Sequence, residues 1–381
     1  MEFGKVSVFL LSYYEGTLYG LSHIPAEEVH VHLPAIHVDA VSAERMAVPA
    51  ARGPARLVLH RTPVVFPRPL DPVRVVSGSP SLNSFYVYRN VRELLDGSEW
   101  AVTIEPHTLY SSQIIGACRQ TAIRSLVTSE SSPDMATSRV PPYSALARRS
   151  VRLADRLMAC TDRAHAMFAA FGADPAKVLA HQVNCIDLTR FHPRAALRRP
   201  DAPVNVLFVG RASPHKGLPT VLAAMDRLSR SWRVALTVVG RGPLEPELHV
   251  DRGYPITHLP FLPTTDYAEV FRSADIFTLP SQPVRRGPLT VWEEAYGVAA
   301  IQAKASGLPL VLSDCGNLPS VAAGRNPVVP ANDPTSLAGA LGTLIDDPTA
   351  RSAIGRANAR EMAELFDPVA VEKRWRQAMA T

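Results

Sequence analysis

From Val204 to Ser313 the chain alternates short apolar runs with segments of helical spacing. Val204–Val209, Arg233–Val239, Ile276–Leu279 and Leu310–Ser313 read as strands. Between them, Leu218–Ser229, Asp266–Ser273 and Val298–Ser306 repeat apolar residues every three to four positions, as amphipathic helices do. Apolar strands alternating with helices predict an α/β class and a doubly wound, Rossmann-like parallel sheet. Ligands of such sheets bind beyond the carboxyl ends of the strands. Arg351–Met379 closes the chain as helix, interrupted at Pro368.

The amino-terminal part is less regular. Lys5–Leu11, Val29–Leu33, Leu57–Leu59, Trp100–Ile104 and Ser125–Thr128 read as strands, and Asn83–Leu95 and Leu109–Ile123 carry helical spacing. One long amphipathic helix is predicted over Val151–Phe171, ended by Gly172, with a short strand at Val178–His181 after it. Pro193, Pro200 and Pro203 then punctuate a stretch of turn chemistry. These signals predict an amino-terminal domain over 1–193, a linker at 194–203, a second domain over 204–365, and a terminal helix at 366–381 that packs back toward the first domain. A chain of 381 residues exceeds the roughly 250–300 that one hydrophobic core sustains, so two domains around a central cleft are expected on length alone.

Composition narrows the classes. Apolar residues make up 46% and charged residues 20%, an ordinary balance for a folded chain. No run approaches the roughly 20 apolar residues of a membrane span, and the short apolar start Val6–Leu11 lacks the form of a signal peptide. Cys118, Cys160, Cys185 and Cys315 lie far apart with no CxxC pair, which predicts reduced thiols in a cytoplasmic protein. The net charge of +5 is scattered over pairs such as Arg148-Arg149, Arg198-Arg199 and Arg285-Arg286, with no aromatic-interleaved basic stripe, so nucleic acid is not an expected partner. His23, His30, His32 and His37 stand without nearby acidic ligands, and no metal site is expected there.

Two clusters carry candidate chemistry. The strand Val204–Val209 runs into Gly210-Arg211-Ala212-Ser213-Pro214-His215-Lys216-Gly217 and then a helix. A glycine there lets backbone approach a phosphate, and Arg211 and Lys216 either reach a diphosphate together or are two solvated cations on a loop. The spacing is not that of a P-loop. In the second cluster, Glu294-Ala295-Tyr296-Gly297 leads into the helix from Val298, so Glu294 either binds sugar hydroxyls or is an acid near a helix N-terminus. Gln302 lies two turns along on the same side, where its amide either bonds a ribose or bonds nothing.

The carboxyl-terminal half resembles the family 4 glycosyltransferases of the GT-B fold. The resemblance rests on Gly210-Arg211 with Lys216-Gly217, on Thr290-Val291-Trp292-Glu293-Glu294-Ala295-Tyr296-Gly297, and on Ala305-Ser306-Gly307-Leu308-Pro309-Leu310-Val311 followed by Ser313-Asp314-Cys315-Gly316. Val329-Pro330 and Asp333-Pro334 extend it, and together the motifs cover roughly residues 178–366 in order. It implies two Rossmann-like domains, a nucleotide-sugar donor and a retaining transfer of a hexose-type sugar without metal. By resemblance, Arg211 and Lys216 hold the donor diphosphate, Glu294 holds hydroxyls of the donor sugar, and backbone around Gly210, Ala295, Tyr296 and Gly297 lies near sugar and phosphates. The base lies against Pro260-Phe261-Leu262. No DxD acidic pair stands near this site, since Asp346-Asp347 belongs to a distal loop.

Where the family carries a second glutamate that bonds the ribose hydroxyls, this chain has Gln302. UDP is the expected nucleotide, with GDP and dTDP open; the lost carboxylate makes dTDP more plausible than it would be with Glu, because a deoxyribose lacks the 2′-hydroxyl. In the amino-terminal half, which normally takes the acceptor, the glycine-rich loop is reduced to Glu15-Gly16-Thr17 or Tyr19-Gly20, and the helix usually following it is not visible in the pattern. Gly16, Glu105, His107 and Glu130 are the candidate acceptor residues, and a small soluble or natural-product hydroxyl acceptor is expected. A nucleotide-sugar epimerase or pseudo-glycosyltransferase on the same fold, or a non-catalytic sugar-nucleotide-binding protein, are the alternatives.

Overall fold

Runs of valine, leucine and phenylalanine form the buried central strands of two parallel sheets in the computed structural model, which describes residues 3–10, 15–35, 53–66, 85–181, 184–194, 202–260 and 264–380. The chain divides into two compact units: Met1–Cys185 with Pro368–Thr381, and Ile186–Asp367. The first division thus falls ahead of the proline-marked stretch 194–203.

The first unit holds β1 (Phe3–Phe9), β2 (Ala26–Pro34), β3 (Arg56–Thr62), a two-residue antiparallel pair β4 (Val64–Val65) and β5 (Val87–Tyr88), then β6 (Trp100–Ile104), β7 (Arg124–Ser129), β8 (Arg156–Ala159) and β9 (Val178–Ala180). Seven of these form one parallel sheet in the order β3-β2-β1-β6-β7-β8-β9. Val6, Val8 and Phe9 of the central β1 are fully buried between β2 and β6. Strand order reverses between β1 and β6, which places a switch point at their carboxyl ends. A helix absent from the apolar pattern, Glu15–Leu21, follows β1. The helix Pro368–Ala378 also belongs to this unit: Trp375 is fully buried and donates its Nε1–H to the Gly20 carbonyl at 3.0 Å. Truncating a ring so placed costs about 3–5 kcal/mol.

Two predicted helices are corrected. Val151–Phe171 is not one helix but the end of a helix at Tyr143–Leu153, the strand β8, and a helix at Asp162–Ala170. Asp155 breaks the run by accepting from Ser125 N–H at 2.8 Å, and Thr161 restarts it by capping Ala164 N–H at 3.0 Å. Leu157 and Met158 are both fully buried, so β8 shows no alternation that distinguishes it from helix. The described part of Asn83–Leu95 is β5 followed by a helix confined to Val91–Leu95, with Asn90 at φ 52° turning the chain between them. Leu109–Ile123 is helical as far as Cys118.

The second unit holds β10 (Val204–Val209), β11 (Val234–Val239), β12 (Ile256–Leu259), β13 (Ile276–Leu279), an antiparallel hairpin β14 (Val284–Arg286) and β15 (Leu289–Trp292), then β16 (Leu310–Ser313) and β17 (Val328–Val329). The parallel sheet runs β12-β11-β10-β13-β16-β17, which is the doubly wound order 3-2-1-4-5-6 with its switch point between β10 and β13. Asp333-Pro334 opens the helix Pro334–Asp346: the Asp333 carboxylate caps Thr335 and Ser336 N–H, and proline takes the first turn, where no N–H is needed. Among the described residues no helix is long and apolar enough to cross a membrane.

Candidate functional site

The loops leaving β10, β13 and β16 converge at the switch point of the second unit. After β10, Gly210 continues the ladder by donating to the Val239 carbonyl at 3.0 Å. A Cβ on Gly210 would meet only ordinary contacts, 3.7 Å from the Phe208 ring. The glycines that permit close backbone approach here are Gly240, whose Cβ would fall 2.1 Å from the Gly210 carbonyl, and Gly242, 2.2 Å from that of Ala212.

Pro214–Lys216 forms a single 3-10 turn ended by Gly217 at φ 80°. A Cβ on Gly217 would lie 1.9 Å from the Pro280 carbonyl, so only glycine lets this turn press against the end of β13. Gln282 stitches the two loops by donating its backbone N–H to the His215 carbonyl at 2.9 Å and its amide to that of Pro214 at 2.8 Å.

This contact brings Lys216 to Glu294. Lys216 Nζ donates to both carboxylate oxygens, at 2.8 and 3.0 Å, and Ser281 Oγ donates to Glu294 Oε2 at 2.7 Å. Glu294 is 8% exposed, which makes this a largely desolvated ion pair. Its backbone is fixed as well: Asn317 N–H donates to the Glu294 carbonyl at 2.9 Å, and Gly316 at φ 59° passes so close that a Cβ would stand 2.2 Å from that oxygen. Gly297, at φ 75°, then starts the helix Val298–Ala305, with buried Tyr296 before it and Ala295 exposed. The first N–H groups of this helix have no partner within it.

Lys216 Nζ also lies over the Trp292 ring, 4.9 Å from its centroid, and the His215 ring meets the same indole edge-on at 4.6 Å. Burial, then the Lys216 and Arg211 charges, hold the His215 imidazole below its ordinary pKa, against a smaller opposing pull from Glu294. Arg211 is exposed on the same loop. Gln302 is partly buried, and its Oε1 accepts from the Tyr267 hydroxyl at 3.1 Å. Pro260 follows β12, while Phe261 and Leu262 lie outside the described residues.

In the first unit, a hydrogen-bonded chain links Glu105 and Glu130 to Asn184 and Thr17, with His107 beside Glu105 and Gly16 beside Thr17. Glu105 follows β6 with φ 65°, an uncommon angle for a residue with a side chain. Its carboxylate accepts from Ser129 Oγ and from Glu130 N–H, both at 2.8 Å, which ties the ends of β6 and β7 together. His107 Nδ1 lies 3.5 Å from Glu105 Oε2, and burial lowers its pKa, with Glu105 pulling it the other way. Glu130 accepts from the Asn184 amide, which in turn accepts from Thr17 Oγ1. Beside Thr17, the Gly16 carbonyl accepts from Cys185 N–H at 3.1 Å, and a Cβ on Gly16 would stand 2.6 Å from the Cys185 carbonyl.

Ser281, Trp292, His215 and Asn184 were not among the predicted residues. Ser281 follows a buried strand, and Trp292 and His215 fall inside the quoted motifs, so position alone marked them. His30 and His32 find neighbours that the sequence did not suggest: His30 Nε2 bonds Glu28 at 2.8 Å, and His60 Nε2 reaches His30 Nδ1 at 2.9 Å. No group of three or more His, Cys, Asp or Glu among the described residues is placed to hold a metal ion. His37 lies outside the described residues.

Residues 203–347 match the family described as Glycosyl transferases group 1. The chain is 32% identical over 233 residues to a D-inositol 3-phosphate glycosyltransferase of Kineococcus radiotolerans, covering 55% of this chain and 53% of that protein. It is 31% identical over 227 residues to a glycogen synthase of Mycobacterium tuberculosis, covering 57% and 52%. The chain thus spans about half the length of the curated relatives it matches. Among solved structures, Anabaena Alr3699/HepE in complex with UDP has the same fold, with a TM-score of 0.68 at 13% identity over 99% of both chains. The two α/β units thus have the GT-B fold.

Proposed function

We propose, from the premise that this chain is a family 4 glycosyltransferase of the GT-B fold, that it moves a hexose-type sugar from a nucleoside diphosphate donor to a hydroxyl acceptor, with retention and without a metal ion. The observation that carries the reading is the Lys216–Glu294 pair at the switch point of the matched domain. A carboxylate and an ammonium that neutralise each other in a desolvated pocket can each be handed to a different part of one ligand. The donor diphosphate takes Lys216, with Arg211 beside it, and the freed Glu294 oxygens accept hydroxyls of the donor sugar. The helix start at Gly297, with Ala295 and Tyr296, adds backbone donors near the phosphates, and Gly210, whose own N–H is held by Val239, lies beside them in this reading.

In this reading the cations stabilise charge growing on the departing phosphate, which is where preorganised charge accelerates transfer. The acceptor oxygen bonds the anomeric carbon on the face the phosphate leaves, and a phosphate oxygen takes the acceptor proton. Glu294, already engaged by Lys216 and Ser281, serves binding rather than nucleophilic attack. Gly16, Glu105, His107 and Glu130 contribute to acceptor binding in the first unit. All four cysteines are buried thiols outside any disulfide, which suits a reducing compartment such as the cytoplasm.

UDP is the first nucleotide to test, with GDP and dTDP beside it; HepE, which shares the fold, is described in complex with UDP. Calorimetry of the chelator-treated protein against the three, repeated with Arg211→Ala, checks the donor site. Selective binding of one nucleotide that Arg211→Ala abolishes supports the reading, and binding of none removes it. The anomeric configuration of the product, read by NMR from a donor of known anomer, checks retention.

A further inference from the structure

Between Ser281 and Glu294, which are joined by a side-chain hydrogen bond, the chain makes an excursion as the hairpin β14–β15. Val284, Arg285 and Arg286 of its first strand are all exposed, so the hairpin is not part of the sheet core. Its base is nevertheless tied to the Pro214–Lys216 turn from both sides. Gln282, entering the hairpin, donates to the His215 and Pro214 carbonyls. Trp292, leaving it, sets its ring against the His215 imidazole and the Lys216 ammonium. The pairing of Val284 with Trp292 is followed by a register shift at Val284/Arg285, an irregularity that re-aims a side chain at the end of a strand pair.

Lysine is a flexible point charge, and a site that must present it to a diphosphate needs something to limit where the ammonium goes. Glu294 does this only while the carboxylate is free. Once sugar hydroxyls occupy Glu294, the remaining contact that the structure gives Lys216 Nζ is the face of Trp292, which attracts a cation without competing for its N–H donors.

We propose that Trp292 is a positioning residue for the donor diphosphate site: its indole holds Lys216, with His215 wedged against the same ring, where the diphosphate receives it. The inference deepens the donor-site reading and rests on it. The hairpin thereby becomes part of the donor site through its base, although its tip is exposed.

The test uses the full chain and calorimetric affinity for whichever of UDP, GDP and dTDP the wild type binds, with the parent nucleoside as a second ligand. Trp292→Leu keeps apolar bulk and removes the aromatic face, and Trp292→Phe keeps a face. Trp292→Leu is expected to weaken the diphosphate about 3- to 10-fold, the range of a partly desolvated cation–π contact, with nucleoside affinity unchanged and Trp292→Phe restoring most of the loss. In a Lys216→Ala background, Trp292→Leu is expected to cost nothing further, which a general structural role would not produce. If Lys216→Ala weakens binding but Trp292→Leu does not, or if the two losses add, the inference is overturned and the donor-site reading stands. If Lys216→Ala binds as tightly as the wild type, or the wild type binds none of the three, the donor-site reading itself falls, and this inference with it.

Discussion

Lys216 Nζ reaches both carboxylate oxygens of Glu294 across 78 residues of sequence, at 3.0 and 2.8 Å, in a pocket where the lysine side chain is 21% exposed and the glutamate side chain 10%. Removing one partner strands the other in that pocket. Lys216→Ala is therefore expected to cost about 1–3 kcal/mol of stability as well as turnover, and the double variant Lys216→Ala with Glu294→Ala less than the sum of the two. Arg211 is exposed and has no such structural duty, so Arg211→Ala is expected to abolish turnover at unchanged stability. Urea unfolding alongside initial rates checks both. Near-normal rates in Arg211→Ala, Lys216→Ala and Glu294→Ala together would remove these residues from the reaction.

Glycines at the site differ in what they do. Gly217 and Gly316 combine positive φ with backbone pressed against the missing Cβ, at Pro280 and Glu294 respectively, so alanine at either position is expected to cost more than about 2 kcal/mol. Gly210 has only van der Waals neighbours, a Cβ meeting the Phe208 ring and Leu279 at 3.7–3.9 Å, so Gly210→Ala is expected to change stability by less than about 0.5 kcal/mol. Equal stability losses in all three variants would contradict this assignment.

The second unit was legible because its motifs are steric. Gly217, Gly297 and Gly316 stand at the corners where β10, the helix Val298–Ala305 and β16 meet, and each requires φ above zero, so the sequence marks them directly. The hairpin was missed because its first strand is exposed and alternates nothing. β8 was missed for the opposite reason, being buried without a polar face. The cluster in the first unit is legible only as separate residues: Glu105 and Glu130 are linked to Thr17 through Asn184, 167 residues away from it, and neither Thr17 nor Asn184 carries a local signal. The tight backbone passage beside β10 belongs to Gly240 and Gly242, which stand outside the motif that holds Gly210.

Gln302 offers a direct test of donor choice. One lone pair of its Oε1 is engaged by the Tyr267 hydroxyl, which leaves a single neutral acceptor site and the amide N–H donors for a ligand. Gln302→Glu keeps an acceptor for Tyr267 and adds a charged acceptor for a ribose hydroxyl, a kind of bond worth about 1.5–3 kcal/mol. The affinity ratio of UDP to 2′-deoxy-UDP is therefore expected to rise by about tenfold or more in the variant. An unchanged ratio would separate position 302 from the ribose.

The histidines of the first sheet make a prediction about pH. Phe9, His32, His60 and His30 stack in sequence, with ring centroids 4.6, 4.9 and 4.9 Å apart, and the charged neighbours facing them are Glu28, Arg56 and Lys5. His32 Nδ1 bonds Thr62 Oγ1 at 3.2 Å, and burial, reinforced by His60, His30 and Lys5, pushes its pKa down to about 3. Burial, then the His30 and Lys5 charges, lower His60 as well. The unfolded chain binds these protons near pH 6.5 while the folded chain refuses them, so the stability they secure is complete above that pH and is lost progressively as pH falls from about 6.5 toward 3. Carboxylates contribute to any acid transition, and the comparison that isolates the stack is His32→Phe, which keeps the aromatic contact with Phe9 and removes the titration. Urea midpoints measured at pH 7.5, 6.5, 5.5 and 4.5 are expected to fall less steeply in the variant, whatever its stability at neutral pH. Parallel slopes in the two proteins would show that His32 takes up its proton as readily in the folded sheet as in the unfolded chain.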